Sequence, residues 1–522
     1  MTTRRDFLRA TGAFALAPAI HLPSRAEFDL VLRGGALLDG TGAAARLLDV
    51  GITAGRIAAL GPALGAGRDE IDARGLTVAP GFIDIHSHGD GSLGEDPRAE
   101  SVIRQGITTV VAGQDGGGRP VGEVADRMRT FRPACNVAAM AGLGSLRAVV
   151  IGEDDRPATP DEIVRMRARV ERALADGACG ASSGLEYTPG AFASTAELAA
   201  VCRPLAAHGL PYATHMRNED DRLLESIDEA IAVAEGAGCP LQVSHLKTQG
   251  PRNWGKLDAA FARIETARAR GIDAAFDRYP YIAYQTTLAN LFPAAARDGG
   301  TEAFLARLDD PALREACLAK IELIGGWDNV QISGVAEDAD RAAEGQRLGG
   351  YATSLGQDPF TLTVALLRRN NGRVGMVGFA MSEENLERIL AHPLGMVCSD
   401  GGAVAVDGPA RRGHPHPRSV GTFPRVLGRY VRERKALTLE QAVHKMSGYP
   451  ASRLHLADRG RVAEGLAADL VVFDPATVAD RATFEDPFQY PVGIPAVVVN
   501  GELVLRGGER TPARPGRFVR PA

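Results

Sequence analysis

Several common protein classes are ruled out by what this sequence lacks. Its six cysteines (Cys135, Cys179, Cys202, Cys239, Cys317 and Cys398) are scattered, with no CxxC pair. That implies no disulfide framework, and several sit in apolar surroundings where they read as buried free thiols. The apolar run Ala13–Ile20 is too short to cross a bilayer, so no membrane span is expected. A basic excess is missing too. The 59 Lys and Arg against 64 Asp and Glu give a net charge of −5, and no basic stripe interleaves with aromatics. Nucleic acid is therefore not an expected partner. What remains, 45% hydrophobic and 24% charged over 522 residues, is ordinary for a soluble chain large enough for a barrel plus something smaller.

The first residues read as a targeting segment. Thr3-Arg-Arg-Asp-Phe-Leu-Arg9, the apolar run and a small-residue stop near Ser24-Arg-Ala26 occur in the order of a twin-arginine signal. Residues 1–26 are expected to be that signal, with the twin-arginine export machinery as a partner and a periplasmic or secreted destination. A disordered basic tail is the alternative. The route carries folded proteins, which suits an enzyme that takes up metal in the cytoplasm.

From Phe28 to about Thr77 short apolar runs alternate with turns, as in Asp29-Leu-Val-Leu-Arg-Gly-Gly35, and the style returns in Asp469-Leu-Val-Val-Phe-Asp474 and Ala496-Val-Val-Val-Asn-Gly501. One small β-sandwich built from both termini, 27–78 with 455–522, is expected. The middle, 79–454, alternates strand and helix, the sign of a parallel sheet with crossover helices. Eight strand candidates end near His86-Ser-His88, Ala112-Gly-Gln-Asp115, Asn136–Gly142, Gly180–Glu186, Ala213-Thr-His215, Val243-Ser-His245, Ala275-Phe-Asp277 and Met396-Val-Cys-Ser-Asp400. The fold class expected is α/β, a (β/α)8 TIM-like barrel, with its chemistry at the carboxyl ends of the strands. An open doubly wound sheet is the alternative. The interval Tyr284–Tyr351 is too long for a plain crossover, and a lid-like insertion is expected over about 285–350.

The chain is organised around Ala79-Pro-Gly-Phe-Ile-Asp-Ile-His-Ser-His-Gly-Asp90. In a strand, His86 and His88 point the same way, roughly 7 Å apart, which suits a divalent ion at a barrel mouth. Alone, they read equally as two satisfied polar histidines. Other strand ends supply Asp115, His215, His245 and Asp400, so four histidines and two aspartates make a ligand set for one or two Zn2+-like ions. The spacing gives one metal position to His86 and His88 and the other to His215 and His245, with Asp115 between. A metal with an open position lowers the pKa of its water to about 7. Asp400 would take the proton of that water and pass it to the leaving amine.

With these stretches the chain resembles the amidohydrolase superfamily and, more closely, the N-acyl-D-amino-acid deacylase (D-aminoacylase) family. Further matches are Gly106-Ile-Thr-Thr-Val-Val111, Ser183-Gly-Leu-Glu-Tyr-Thr-Pro-Gly190, Thr214-His-Met-Arg217, Ser244-His-Leu-Lys247, Tyr279-Pro-Tyr281, Ser399-Asp-Gly401 and His414-Pro-His-Pro-Arg-Ser-Val-Gly-Thr-Phe-Pro-Arg425. The resemblance runs from about residue 28 to 508. It implies a barrel with a terminal β-sandwich, zinc as cofactor and hydrolysis of the amide of an N-acyl-D-amino acid. There are two departures. Gly113-Gln-Asp-Gly116 stands where the family usually has Gly-Asn-Cys-Gly, so the carboxylate of Asp115 replaces a bridging thiolate. Gly142-Leu-Gly144 stands where a histidine is common.

An N-acyl amino acid offers a carboxylate, which favours a guanidinium or an ammonium nearby. Lys247 lies two residues after a ligand on the same strand. The resemblance adds a tyrosine, Tyr279 or Tyr281, as its partner on that carboxylate. Arg411 is a further candidate, with Arg412 and Arg418 as rivals, and Glu186 and Tyr187 stand where they could line the pocket. Two other readings are open. One is a dipeptide or cyclic-amide hydrolase, although Gly180–Tyr187 has no lysine of the kind hydantoinases carboxylate. The other is a non-catalytic scaffold, which the intact ligand set disfavours.

Overall fold

The computed structural model describes residues 26–522. The expected export signal therefore lies, but for its last residue, outside the described residues. Among those described, no helix is long and apolar enough to cross a membrane, and all six cysteines are buried and free.

Eight strands form the barrel: β1 (Phe82–Asp84), β2 (Ile107–Ala112), β3 (Asn136–Ala139, continued by Ala141–Gly142), β4 (Ala181–Gly184), β5 (Tyr212–His215), β6 (Leu241–Val243), β7 (Ala274–Arg278) and β8 (Gly395–Val397). Each pairs in parallel with the next. They are buried along their whole length, as all six residues of Ile107-Thr-Thr-Val-Val-Ala112 are, the mark of a parallel sheet covered on both faces. The ring closes between β8 and β1. Asp400 N donates to His86 O at 2.8 Å and His88 N to Gly401 O at 2.9 Å. Ser399 N donates to Asp84 Oδ1 at 2.8 Å, and its hydroxyl bonds the second oxygen of Asp84. That closure excludes the open sheet.

The crossover helices follow their sequence signals. Pro160–Ala175 starts with a reciprocal capping box between Thr159 and Glu162 and buries Met166, Val170 and Ala173. Leu223–Ala237 stops at Gly238, whose φ of 72° is the left-handed turn that ends a helix cheaply only at glycine.

The termini share one nine-stranded sheet. Its two halves meet where Thr77–Pro80 pairs antiparallel with Leu470–Phe473, Val471 facing Ala79. The long strand Phe28–Leu37 shifts register between Leu32 and Gly35. Its first half pairs with Gly67–Asp72 and its end with Thr77–Pro80. The sheet thus folds across its own apolar core of Leu32, Val50, Ile52, Leu470, Val472 and Val498.

Between β7 and β8 the chain inserts a unit longer than the interval Tyr284–Tyr351. Ala283–Thr287, Val330–Gly334 and Gly375–Phe379 form a three-stranded antiparallel sheet with the last in the middle. Its Leu288, Phe292, Ile332 and Met376 share one apolar cluster with Ile83, Val111, Ala213 and Ala275 of the barrel strands. The insertion is built into the core, and Tyr284, Gln285, Thr286 and Thr287 roof the barrel mouth.

Candidate metal centre

Six side chains converge at the carboxyl end of the barrel. Asp115 Oδ1 lies 3.3 Å from His86 Nε2 and 3.6 Å from His245 Nε2. Its Oδ2 lies 3.4 Å from His88 Nε2 and 3.8 Å from His215 Nδ1. His215 Nδ1 and His245 Nε2 are 3.0 Å apart. Asp400 Oδ1 completes the group, 3.1 Å from His88 Nε2 and 3.6 Å from His86 Nε2. Asp115 thus reaches all four imidazoles, but its oxygens divide them as His86 with His245 and His88 with His215, not into the expected pairs His86/His88 and His215/His245.

The backbone is bent to achieve this. Asp115, His245 and Asp400 have φ of 53°, 36° and 51°. Left-handed conformations cost non-glycine residues on the order of 1–3 kcal/mol each and persist where the surroundings impose them. Glycine permits the close approach around Asp115, since a Cβ on Gly184 would sit 2.1 Å from Asp115 O.

Behind the imidazoles stand further carboxylates. Glu186 Oε2 is 3.3 Å from His215 Nε2, Glu219 Oε1 is 3.0 Å from His245 Nδ1, and Asp277 Oδ1 is 3.7 Å from His86 Nδ1. Such outer partners orient metal-binding histidines. Burial opposes charge on Asp400, yet Arg418, which donates to its Oδ2 at 2.7 Å, and the histidines hold the carboxyl well below the usual carboxylate range. Against the same burial, Asp115 and Asp400 push His88 up to about 9, and Glu219 and Asp115 push His215 up to about 10. The negative charge here calls for cations.

A metal fits. Nε2 of His86 and Oδ1 of Asp115 are buried without a hydrogen-bond partner, a cost that a bound ion would remove. His86, Asp115, His245 and Asp400 present donor atoms all within 4.8 Å of one another.

The expected substrate contacts divide. Lys247 and Tyr279 line the cavity of about 890 Å3 over this group. Tyr279 keeps a buried hydroxyl without a partner, while Lys247 bonds both oxygens of Glu219 at 2.6 Å. Tyr281 is a correction. The chain turns after β7, Tyr281 N donating to Tyr279 O, and the Tyr281 ring goes under Arg425 instead of into the cavity. Arg411 is another. It donates to Val406 O and covers the Phe488 ring on the surface, and Arg412 pairs with Glu95. The arginine at the site is Arg418, which lines the cavity with Glu186 and Tyr187. His416 fixes it there, its Nδ1 accepting from Arg418 N at 2.9 Å while Nε2 donates to Ala283 O at 3.0 Å. Sequence reasoning missed Glu219, whose only signal is its place four residues after His215.

The amidohydrolase family model matches residues 69–505. The chain belongs to the amidohydrolase family. Among curated members of this family, an N-acyl-D-glutamate deacylase of Alcaligenes xylosoxydans xylosoxydans is 39% identical over 95% of this chain and 97% of its own. A D-aminoacylase of the same organism is 37% identical over 94% and 97%. The crystal structure of N-acyl-D-glutamate deacylase from Bordetella bronchiseptica, complexed with zinc and a phosphonate mimic of the tetrahedral intermediate, superposes with a TM-score of 0.81 at 36% identity, covering 94% of this chain and 99% of that one. This amidohydrolase thus shares its length and fold with deacylases of N-acyl-D-amino acids.

Proposed function

We propose that this amidohydrolase cleaves the amide bond of N-acyl-D-amino acids, releasing a carboxylate and a free D-amino acid. The observation that carries the reading is the convergence of four imidazoles on Asp115, with Asp400 beside them, in a chain alike over its length to D-amino-acid deacylases. His86, His88, Asp115, His215 and His245 would hold one or two zinc ions. Bound zinc supplies Lewis acidity toward the scissile carbonyl and the attacking water.

The chain's own residues do the rest. Asp400, ionised at neutral pH, accepts a proton from the water that adds to the carbonyl carbon. As the C–N bond breaks it returns that proton to the amine nitrogen. Lys247, Tyr279 and Arg418 receive the substrate carboxylate, the last two sharing a wall of the cavity where the guanidinium lies 4.7 Å from the Tyr279 ring centroid. Gln285 and Thr286 overhead narrow the entrance to water.

A dipeptide ending in a D-residue is the second reading. It is favoured by Asp90, Glu153 and Glu186 in the cavity lining, whose only Lys and Arg among the described residues are Lys247 and Arg418. These carboxylates suit an acyl half bearing an ammonium. The deciding experiment is a hydrolysis screen of N-acetyl-D- and N-acetyl-L-amino acids with D-terminal dipeptides. Turnover of L-substrates alone would sink both readings.

Export by the twin-arginine route to the periplasm belongs to the same proposal, on the strength of Thr3-Arg-Arg-Asp-Phe-Leu-Arg9. Replacing Arg4 and Arg5 by lysine should leave the protein in the cytoplasm. Unchanged export would refute it.

A further inference from the structure

Glu219, Lys247 and His245 form a closed buried triangle. Lys247 Nζ lies 2.6 Å from each Glu219 oxygen and 2.7 Å from His245 Nδ1, and Glu219 Oε1 lies 3.0 Å from that same nitrogen. All three residues are exposed by 2% or less, so the three groups settle their protons among themselves. An ammonium only donates and an ionised carboxylate only accepts. His245 Nδ1 therefore has two incompatible offers: it can accept from Lys247 or donate to Glu219. The choice is felt at the other end of the ring, because Nε2 faces Asp115 Oδ1 at 3.6 Å and His215 Nδ1 at 3.0 Å. A ring that accepts at Nδ1 carries its proton on Nε2 and presents no lone pair to an ion.

We propose that Glu219 is a positioning residue that sets the tautomer of His245. By taking two hydrogens of Lys247 and the Nδ1 proton of His245, it leaves the Nε2 lone pair for the metal. The inference rests on the zinc site read above. It gives the Glu219–Lys247 pair a task besides charge neutralisation: the ammonium that meets substrate is the group that would disarm the metal ligand if its carboxylate were lost.

The test is zinc affinity, measured by competition with a chromogenic chelator on the full chain, with folding followed by circular dichroism. Glu219→Gln should weaken binding about 10- to 100-fold, the usual effect of losing an outer partner, because Lys247 then takes the Nδ1 lone pair. Lys247→Met should stay within about threefold of wild type. In the double variant Glu219→Gln/Lys247→Met no competing donor remains and the glutamine oxygen can accept from Nδ1, so affinity should return to that of Lys247→Met. Wild-type affinity in Glu219→Gln would overturn the inference, as would a double variant about tenfold or more weaker than Lys247→Met. If Glu219→Gln alone does not fold, the comparison of Lys247→Met with the double variant decides. Absence of zinc binding by the wild type would instead sink the metal reading itself.

Discussion

Arg418 donates to Asp400 Oδ2 at 2.7 Å, with both side chains buried. The base of the site is therefore kept charged by a group that also faces the substrate. Replacing Arg418 by Met should lower kcat/KM at least about tenfold, the scale of one lost charge-assisted contact. It should also move the acid limb of the kcat profile upward. Burial, the largest influence on Asp400, raises its pKa, and would no longer be opposed by the guanidinium. Arg411→Ala should leave kcat/KM within about twofold, as expected of a surface substitution away from the site. Steady-state kinetics across pH on the two variants checks both statements.

Asp400→Asn should reduce kcat at least about a hundredfold, the low end of proton-transfer catalysis, with metal content nearly intact. His86, His88, Asp115, His215 and His245 still offer their donors to the ion. Turnover and elemental analysis on the same preparation give the answer. Most of the activity surviving would remove Asp400 from the proton path.

Asp115→Ala should lose metal and activity together, because its oxygens are the atoms common to all four histidines. Asp115→Cys should recover part of both with zinc, thiolate being a good ligand for that ion. Full metal content and activity in Asp115→Asn would show that Asp115 serves only the turn Gly116-Gly-Gly118 that follows it.

The insertion makes a different forecast from a detachable lid. Deleting 290–345 removes an edge strand of the three-stranded sheet and apolar residues shared with the barrel interior. The expected product is insoluble, since truncating even one such core residue costs about 2–5 kcal/mol. A folded truncation with altered KM would restore the lid. Gln285→Ala, a change in the roof that also frees the His416 N–H accepted by Gln285 Oε1 at 3.1 Å, should change KM without loss of soluble yield.

The barrel was legible because most of its strands announce themselves twice, as buried runs and as the polar residue that ends the run, the third, ending at Gly142, being the exception. His215 after Tyr212-Ala-Thr214 and Asp400 after Met396-Val-Cys-Ser399 are readable by that rule alone. The misses share a cause. Arg411 and Arg418 are equal as loop arginines in the sequence, and long-range contacts separate them, Arg418 with Asp400 and its neighbour His416 with Ala283. Tyr279 and Tyr281 alternate like strand neighbours, but the chain has already turned between them. Glu219 sits in Asn218-Glu-Asp-Asp221, a run that looks solvated until Lys247 is found against it. Periodicity reports on elements, whereas these three choices are made by contacts between elements.

The seam at Asp84 and Ser399 orders events in time. His86 and Asp400 are brought together only when the eighth strand docks on the first, across a separation of 315 residues between the bonded pair. A ribosome that has made every histidine of the cluster has still not made the site. Closure of the mouth must therefore wait for the last strand, and a chain cut short before Met396 should come off with its four histidines and Asp115 present, its proton acceptor missing and the seam partner of Asp84 gone.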